Sequence, residues 1–188
     1  GGDYIELGKG GEFGMINPLE VIVDADEEEL RQGMGYAVLT RTLQTIKAFM
    51  KYYDPSITED VLNIFSEMVQ ETYRRFGIDF DTDFTKFSSA DYPTFKDVYA
   101  TVRGKITAMP DQNKERDMLE QLELKLRPIV KELRYYFDGT TTISPKSNFI
   151  IFNIKELMNA DTNIRNALFF NTLKYSWSLT LNPAVNTV

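Results

Sequence analysis

The sequence predicts a mainly α protein: an all-helical block, residues 24–138, inserted into an α/β layer made by both ends of the chain, 1–23 and 139–188. Three observations predict it. Apolar residues recur at helical spacing through the middle of the chain. The continuous apolar run Phe149-Ile150-Ile151-Phe152-Asn153-Ile154 then reads as a strand buried on both faces. Charge is also uneven: residues 1–139 carry 17 bases and 26 acids, whereas residues 140–188 carry 4 and 2. A stretch so sparing in charge must be covered largely by other protein, as a central strand and a helix packed on a sheet would be.

Taken in order, Tyr4-Ile5-Glu6-Leu7 reads as a strand, Gly8-Lys9-Gly10-Gly11 as a turn, and Phe13-Gly14-Met15-Ile16 as a second extended piece ended by Asn17-Pro18. Five acids within Asp24–Glu29 suit a helix N-terminus, where they complement the dipole. A helix from about 26 to 53 follows, with Leu30, Met34, Val38, Leu39, Ile46, Phe49, Met50 and Tyr53 inward. Gly33 and Gly35 mark close packing or a kink within it. Asp54-Pro55 stops it, and Ser56-Ile57-Thr58-Glu59 reads as a capping box for the next helix. That helix buries Val61, Leu62, Phe65, Met68, Val69, Tyr73 and Phe76 and closes at Gly77. An aromatic, acid-rich connector spans 78–92, and a shorter helix covers about 94–108. After Pro110-Asp111, a helix over 111–137, bent at Pro128, turns Leu119, Leu122, Leu126, Ile129, Val130, Leu133 and Phe137 inward. Asp138-Gly139 ends the block. A last helix, about 161–180, carries Ile164, Leu168, Phe169, Leu173, Tyr175 and Trp177. Gly1-Gly2 directly before a strand, and the apolar Ala184-Val185-Asn186-Thr187-Val188, read as ends cut from a larger sheet.

Composition excludes much chemistry. With no cysteine and no histidine, disulfides, Cys/His zinc sites, thiol nucleophiles and imidazole triads are all absent. A net charge of −7 opposes a nucleic-acid or anionic-membrane surface over most of the chain. No long uncharged apolar run and no signal segment occur, which predicts a soluble, cytoplasmic chain without membrane insertion. Gly8-Lys9-Gly10-Gly11 lacks the Gly-Lys-Ser/Thr end of a phosphate loop and no helix follows it, so it reads as an ordinary turn. Asp79, Asp81 and Asp83 have the spacing of the first calcium-loop ligands. Phe84 stands where the turn glycine should be, however, and Ala90 where the bidentate carboxylate should be. Glu59, Asp60, Glu67 and Glu71 read as exposed-face residues, and Arg74, Arg75 and Arg165 as surface ion-pair formers rather than trans-acting arginines. No residue is therefore assigned a catalytic, cofactor-binding or metal-binding role.

Several strings resemble the TraC/TrbE/VirB-type ATPases of bacterial conjugation and type IV secretion. They are Gly1-Gly2-Asp3-Tyr4-Ile5-Glu6-Leu7, Met15-Ile16-Asn17-Pro18-Leu19, Tyr136-Phe137-Asp138-Gly139-Thr140-Thr141 and Phe149 to Leu157, with the helix from Arg165 to Trp177 after them. They stand in the family's order over nearly the whole chain. The resemblance implies that 24–138 is an all-helical insertion flanked by pieces of a RecA-like α/β motor domain. The Walker A segment would lie before Gly1 and the Walker B acids after Val188, so this stretch alone should neither bind ATP strongly nor hydrolyse it. ATP and magnesium would belong to the full-length parent. The parent would be an often hexameric ATPase, cytoplasmic and peripheral to the inner face of the cell membrane. Its partners would be other subunits of the same ATPase and secretion-channel proteins. Two rivals stand beside this reading. One is a free-standing helical adaptor; the other is a related DNA translocase or coupling protein, against which the −7 charge argues mildly.

Overall fold

The computed structural model describes residues 3–6, 14–23, 35–111, 113–143, 150–153 and 161–181; for 3–6, 150–153 and 177–181 the backbone alone is described. Eight elements follow in order: β1 (Asp3–Glu6), α1 (Gly35–Tyr53), α2 (Glu59–Arg75), α3 (Phe95–Ala108), α4 (Lys114–Val130), α5 (Arg134–Phe137), β2 (Ile150–Asn153) and α6 (Thr162–Leu181). The chain is mainly α, as its periodicity predicts. The expectations resting on Gly1-Gly2, Leu7 to Phe13, Asp24 to Met34, Phe149, Ile154 to Leu157 and Ala184 to Val188 lie outside the described residues, as does the Trp177 side chain.

Local chemistry sets each helix end. Thr58, not Ser56, caps α2: its hydroxyl accepts the Val61 N–H at 3.3 Å, while the Ser56 hydroxyl turns back to donate to Asp54 at 2.6 Å. The predicted Ser56–Glu59 box is therefore displaced by two residues, and Glu59 instead pairs with Lys51 at 2.8 Å. At the other end Gly77 takes φ +76°. The Ile78 N–H reaches back to the Tyr73 carbonyl and the Gly77 N–H to that of Arg74, closing a Schellman motif. Phe76 falls in this cap and is 40% exposed, so it leaves the apolar face assigned to it. Two short 3₁₀ turns, 84–86 and 89–91, order the connector. The Thr94 N–H donates to the Asp97 carboxylate at 2.8 Å at the start of α3, and Asn113 accepts the Glu115 N–H at 2.8 Å at the start of α4.

Pro128 lies inside a helix that stops two residues later, at Val130, short of the predicted 137. The Pro128 carbonyl accepts from both Lys131 and Leu133, residues 131–133 form a turn, and the chain restarts as the single turn α5. Gly35 is a packing glycine, as one of the two options allowed: a Cβ there would sit 3.0 Å from the Thr82 carbonyl oxygen and 3.1 Å from that of Phe80.

One core runs through the described helices. Phe49, Phe65, Phe95 and Phe137 are fully buried and in mutual ring contact across α1, α2, α3 and α5. Leu19 and Val21 before the helices, and Ala167 and Leu168 of α6, belong to the same cluster. On α6 the inward assignment holds for Leu168 and Tyr175, and Ile164 packs partly buried. It fails for Phe169, 37% exposed, and Leu173, 65% exposed. Polar and apolar residues are mixed around every side of this helix, so spacing could not say which side the core takes. Between α3 and α4 the buried Glu123 carboxylate accepts from the Tyr99 hydroxyl at 2.6 Å and from Arg127 at 2.7 and 2.9 Å. Burial pushes its pKa up, but these donors hold it below the ordinary carboxylate range. β1 and β2 pair in parallel, Asp3 opposite Ile150 and Glu6 opposite Asn153, so chain positions almost 150 residues apart lie side by side.

Candidate interaction site at the seam of the chain ends

Three separate stretches meet at a seam: 14–21, 138–143 and the middle of α6. Pro18 cannot extend a ladder, so the chain turns at Asn17 and its side chain takes over the hydrogen bonding. Asn17 is 1% exposed. Its Nδ2 donates to the Pro93 carbonyl at 2.8 Å, its Oδ1 accepts the Leu19 N–H at 3.0 Å, and its own N–H donates to Thr141 Oγ1 at 2.9 Å. The Met15 N–H donates to Thr142 Oγ1, and the Thr142 N–H returns to the Met15 carbonyl, both at 2.9 Å. Gly139 lets this strap close, because a Cβ there would press on the Met15 side chain at 3.3 Å.

From α6, Asn171 Nδ2 donates to the Ile16 carbonyl at 3.0 Å, Lys174 Nζ to that of Pro18 at 3.1 Å, and the Tyr175 hydroxyl to that of Ile143 at 3.0 Å. The fully buried Tyr73 of α2 donates to the Leu19 carbonyl at 2.6 Å. Thr141 Oγ1 donates to Glu20 at 2.7 Å, and the Glu20 carboxylate lies in the field of Lys174 and of Tyr73, Tyr92 and Tyr175. No role is read from the sequence for Asn17, Glu20, Thr141, Thr142, Asn171 or Lys174, although several of them stand in the strings that carry the resemblance. The available signal was the rarity of charge after residue 139: in so apolar a stretch Lys174 needs a reason to be there.

Burial lowers the Lys174 pKa to about 8, against a smaller raising effect from Glu20. In the unfolded chain the amine titrates near 10.5. Folding therefore sheds a proton between these values, and stability rises with pH from about 8 towards 10 as the cost of burying the cation disappears. Because the residue keeps some solvent contact, that gain is about 2 kcal/mol rather than the full value of the shift. Above pH 10 the raised tyrosines act oppositely, since the unfolded chain ionises first. Lys174→Met is expected to be more stable than the parent at pH 7 and to lose that advantage by pH 9.5. Thermal melts that move in parallel across this range would contradict the assignment.

The other candidate positions make no such site. Asp79 Oδ1 accepts the Asp81 N–H at 2.9 Å, and Asp83 Oδ1 accepts from the Thr85 N–H and hydroxyl, so both carboxylates serve their own loop. Glu59, Asp60 and Glu67 are exposed, and Glu71 pairs with Arg75 and Lys105. Arg74 is exposed, whereas Arg165 is partly buried one turn into α6. Gly8-Lys9-Gly10-Gly11 lies outside the described residues. Among the described residues no group of three or more His, Cys, Asp or Glu could hold a metal ion. Among them, too, no helix is long and apolar enough to cross a membrane.

No protein-family model matches the sequence, and no curated protein matches it. Among solved structures the chain is similar to VirB4 of Thermoanaerobacter pseudethanolicus, with 26% identity and a TM-score of 0.79 over 95% of this chain. It spans 62% of the length of that chain. The segments that meet at the seam, 15–19, 136–141 and the helix from Arg165, are among those on which the sequence resemblance rests. The likeness of fold covers 95% of this chain and, with those strings, supports its reading as part of a VirB4/TraC-type ATPase of type IV secretion.

Proposed function

We propose that these residues are the stretch of a type IV secretion ATPase between its Walker A and Walker B segments. In this reading 1–23 and 139–188 are parts of a RecA-like motor layer and 24–138 is an insertion that serves substrate, partner or inter-subunit contacts. The parallel pairing of β1 with β2, reinforced by the seam, carries the proposal. It sets residues 3–6 of one flank beside 150–153 of the other, while every described residue from Gly35 to Phe137 belongs to a helix or to a connection between helices. In the full-length protein, ATP with magnesium would be handled by the motor. The assembly, often hexameric, would sit at the cytoplasmic face of the membrane beside channel proteins and serve conjugation or protein secretion. The exposed charged faces of the helices suit a binding role.

Charge reversals on exposed helix faces of the full-length protein, Glu67→Lys and Glu120→Lys, test this. Transfer is expected to fall at least tenfold while ATP turnover stays within twofold. Transfer untouched by every reversal refutes the contact role.

A further inference from the structure

An open groove of about 370 Å³ lies where the end of α1, the end of α4 and the start of α6 converge. It is far from the seam residues in chemistry and shares none of them. Its apolar walls are Tyr53, Pro128, Leu133 and Ile164. Two carboxylates also line it, Asp54 and Asp161, with one cation, Lys125. Lys125 donates to Asp54, so that pair is internally neutral, and Asp54 is further satisfied by the Ser56 N–H and hydroxyl.

Asp161 sets a carboxylate on the rim, where one of its oxygens caps α6 through the Asn163 N–H at 2.9 Å. Glu132, exposed on the turn beside Leu133, does not line the groove but lies close enough to act on the Tyr53 phenol. The field reaches the floor: burial first, then Asp54 and Glu132, push the Tyr53 phenol up to about 12, so it remains a proton donor at any physiological pH. Lys131 and Arg165, the nearest basic residues in sequence, do not line the groove. A hollow of this size admits several side chains, and an apolar floor under a net negative rim is complementary to an aliphatic anchor flanked by a cation.

We propose that this groove docks a short segment of a partner protein that presents an aliphatic side chain next to a lysine or arginine. The proposal deepens the contact role given above to the helices, by naming where contact is made and with what chemistry.

A displayed library of random 12-residue peptides selected against the 188-residue chain tests it. Selected peptides are expected to place Lys or Arg beside Leu, Ile or Val, and to bind more weakly as salt rises. Their affinity should fall at least tenfold for the double variant Glu132→Lys/Asp161→Asn. Asparagine at 161 retains the side-chain acceptor that caps α6, so the fold should survive; an unchanged thermal melt checks this. Asn163→Trp, which fills the mouth, should also block binding, whereas Leu124→Arg on the outer face of α4 should leave it within twofold. Peptides without a basic residue, equal binding to the double variant, or no selected binder would each overturn the proposal. Peptide capture by the groove together with transfer that survives every charge reversal would separate failure of the broader reading from failure of this one.

Discussion

Replacing Phe49 by alanine is expected to lower the unfolding free energy by about 4 kcal/mol, the largest effect of any single change considered. The ring is fully buried and touches two others, Phe95 of α3 at 5.7 Å between centroids and Phe137 of α5 edge-on at 5.2 Å. Truncation would remove the transfer energy of the ring, both aromatic contacts and the material that fills the junction of three helices. These helices come from separate parts of the chain, so the cavity cannot be closed by one side chain moving. Phe49→Leu, which keeps most of the volume, should cost about 1.5 kcal/mol. Urea denaturation of the three proteins measures the series; a loss below about 2 kcal/mol for the alanine variant would show that this junction is not tightly packed.

Asn17→Ala is expected to cost about 3 kcal/mol and to act on the seam first. Two buried groups, the Pro93 carbonyl and the Leu19 N–H, lose their side-chain partner at once, and an orphaned buried polar group is worth more than the bond it made. Thr141→Val removes the acceptor for the Asn17 N–H and the donor to Glu20 but leaves both asparagine bonds, and about 1 kcal/mol should be lost. A double mutant is expected to cost less than the sum, because the two residues share one network. Equal, additive losses would mean that Asn17 and Thr141 act independently and that the seam is not a unit.

The two variants probe parts of the molecule that differ in how far they could be read in advance. The Phe49 junction was visible: Val38, Leu39, Ile46, Phe49 and Met50 recur at helical spacing and all are buried. Helix ends were visible to within a few residues, because Asp54-Pro55, Gly77 and Asp138-Gly139 act through their own backbone. The errors are local in origin as well. Ser56 and Thr58 were both plausible caps, and Asp54 drew the Ser56 hydroxyl away. The helix expected to run on, bent at Pro128, to 137 stops at Val130, where the Lys131 and Leu133 N–H groups both turn back to the Pro128 carbonyl. Phe169 and Leu173 were assigned inward on a helix with no polar face, where periodicity carries no direction.

The seam was not visible as a site, although its strings were. Met15 to Leu19 and Asp138 to Thr141 were singled out for their resemblance to the type IV secretion ATPases, with no account of what those residues do. In the sequence Asn17 reads only as the residue before a strand-ending proline. Its partners are Pro93, 76 positions away, and Thr141, 124 away, and Ile16 and Pro18 are joined to α6 across 155 and 156 positions.

Helix positions, caps and the apolar faces of α1 to α4 were thus set by neighbours three or four residues away, and any reader of the chain can find such pairs. Which backbone carbonyl an asparagine or lysine would satisfy, which side of α6 would face the core, and where a groove with a negative rim would open were decided only by assembly. The reason is geometric: these features depend on groups brought within 3 Å by closing loops of roughly a hundred residues, and a linear pattern of polar side chains carries no record of that distance.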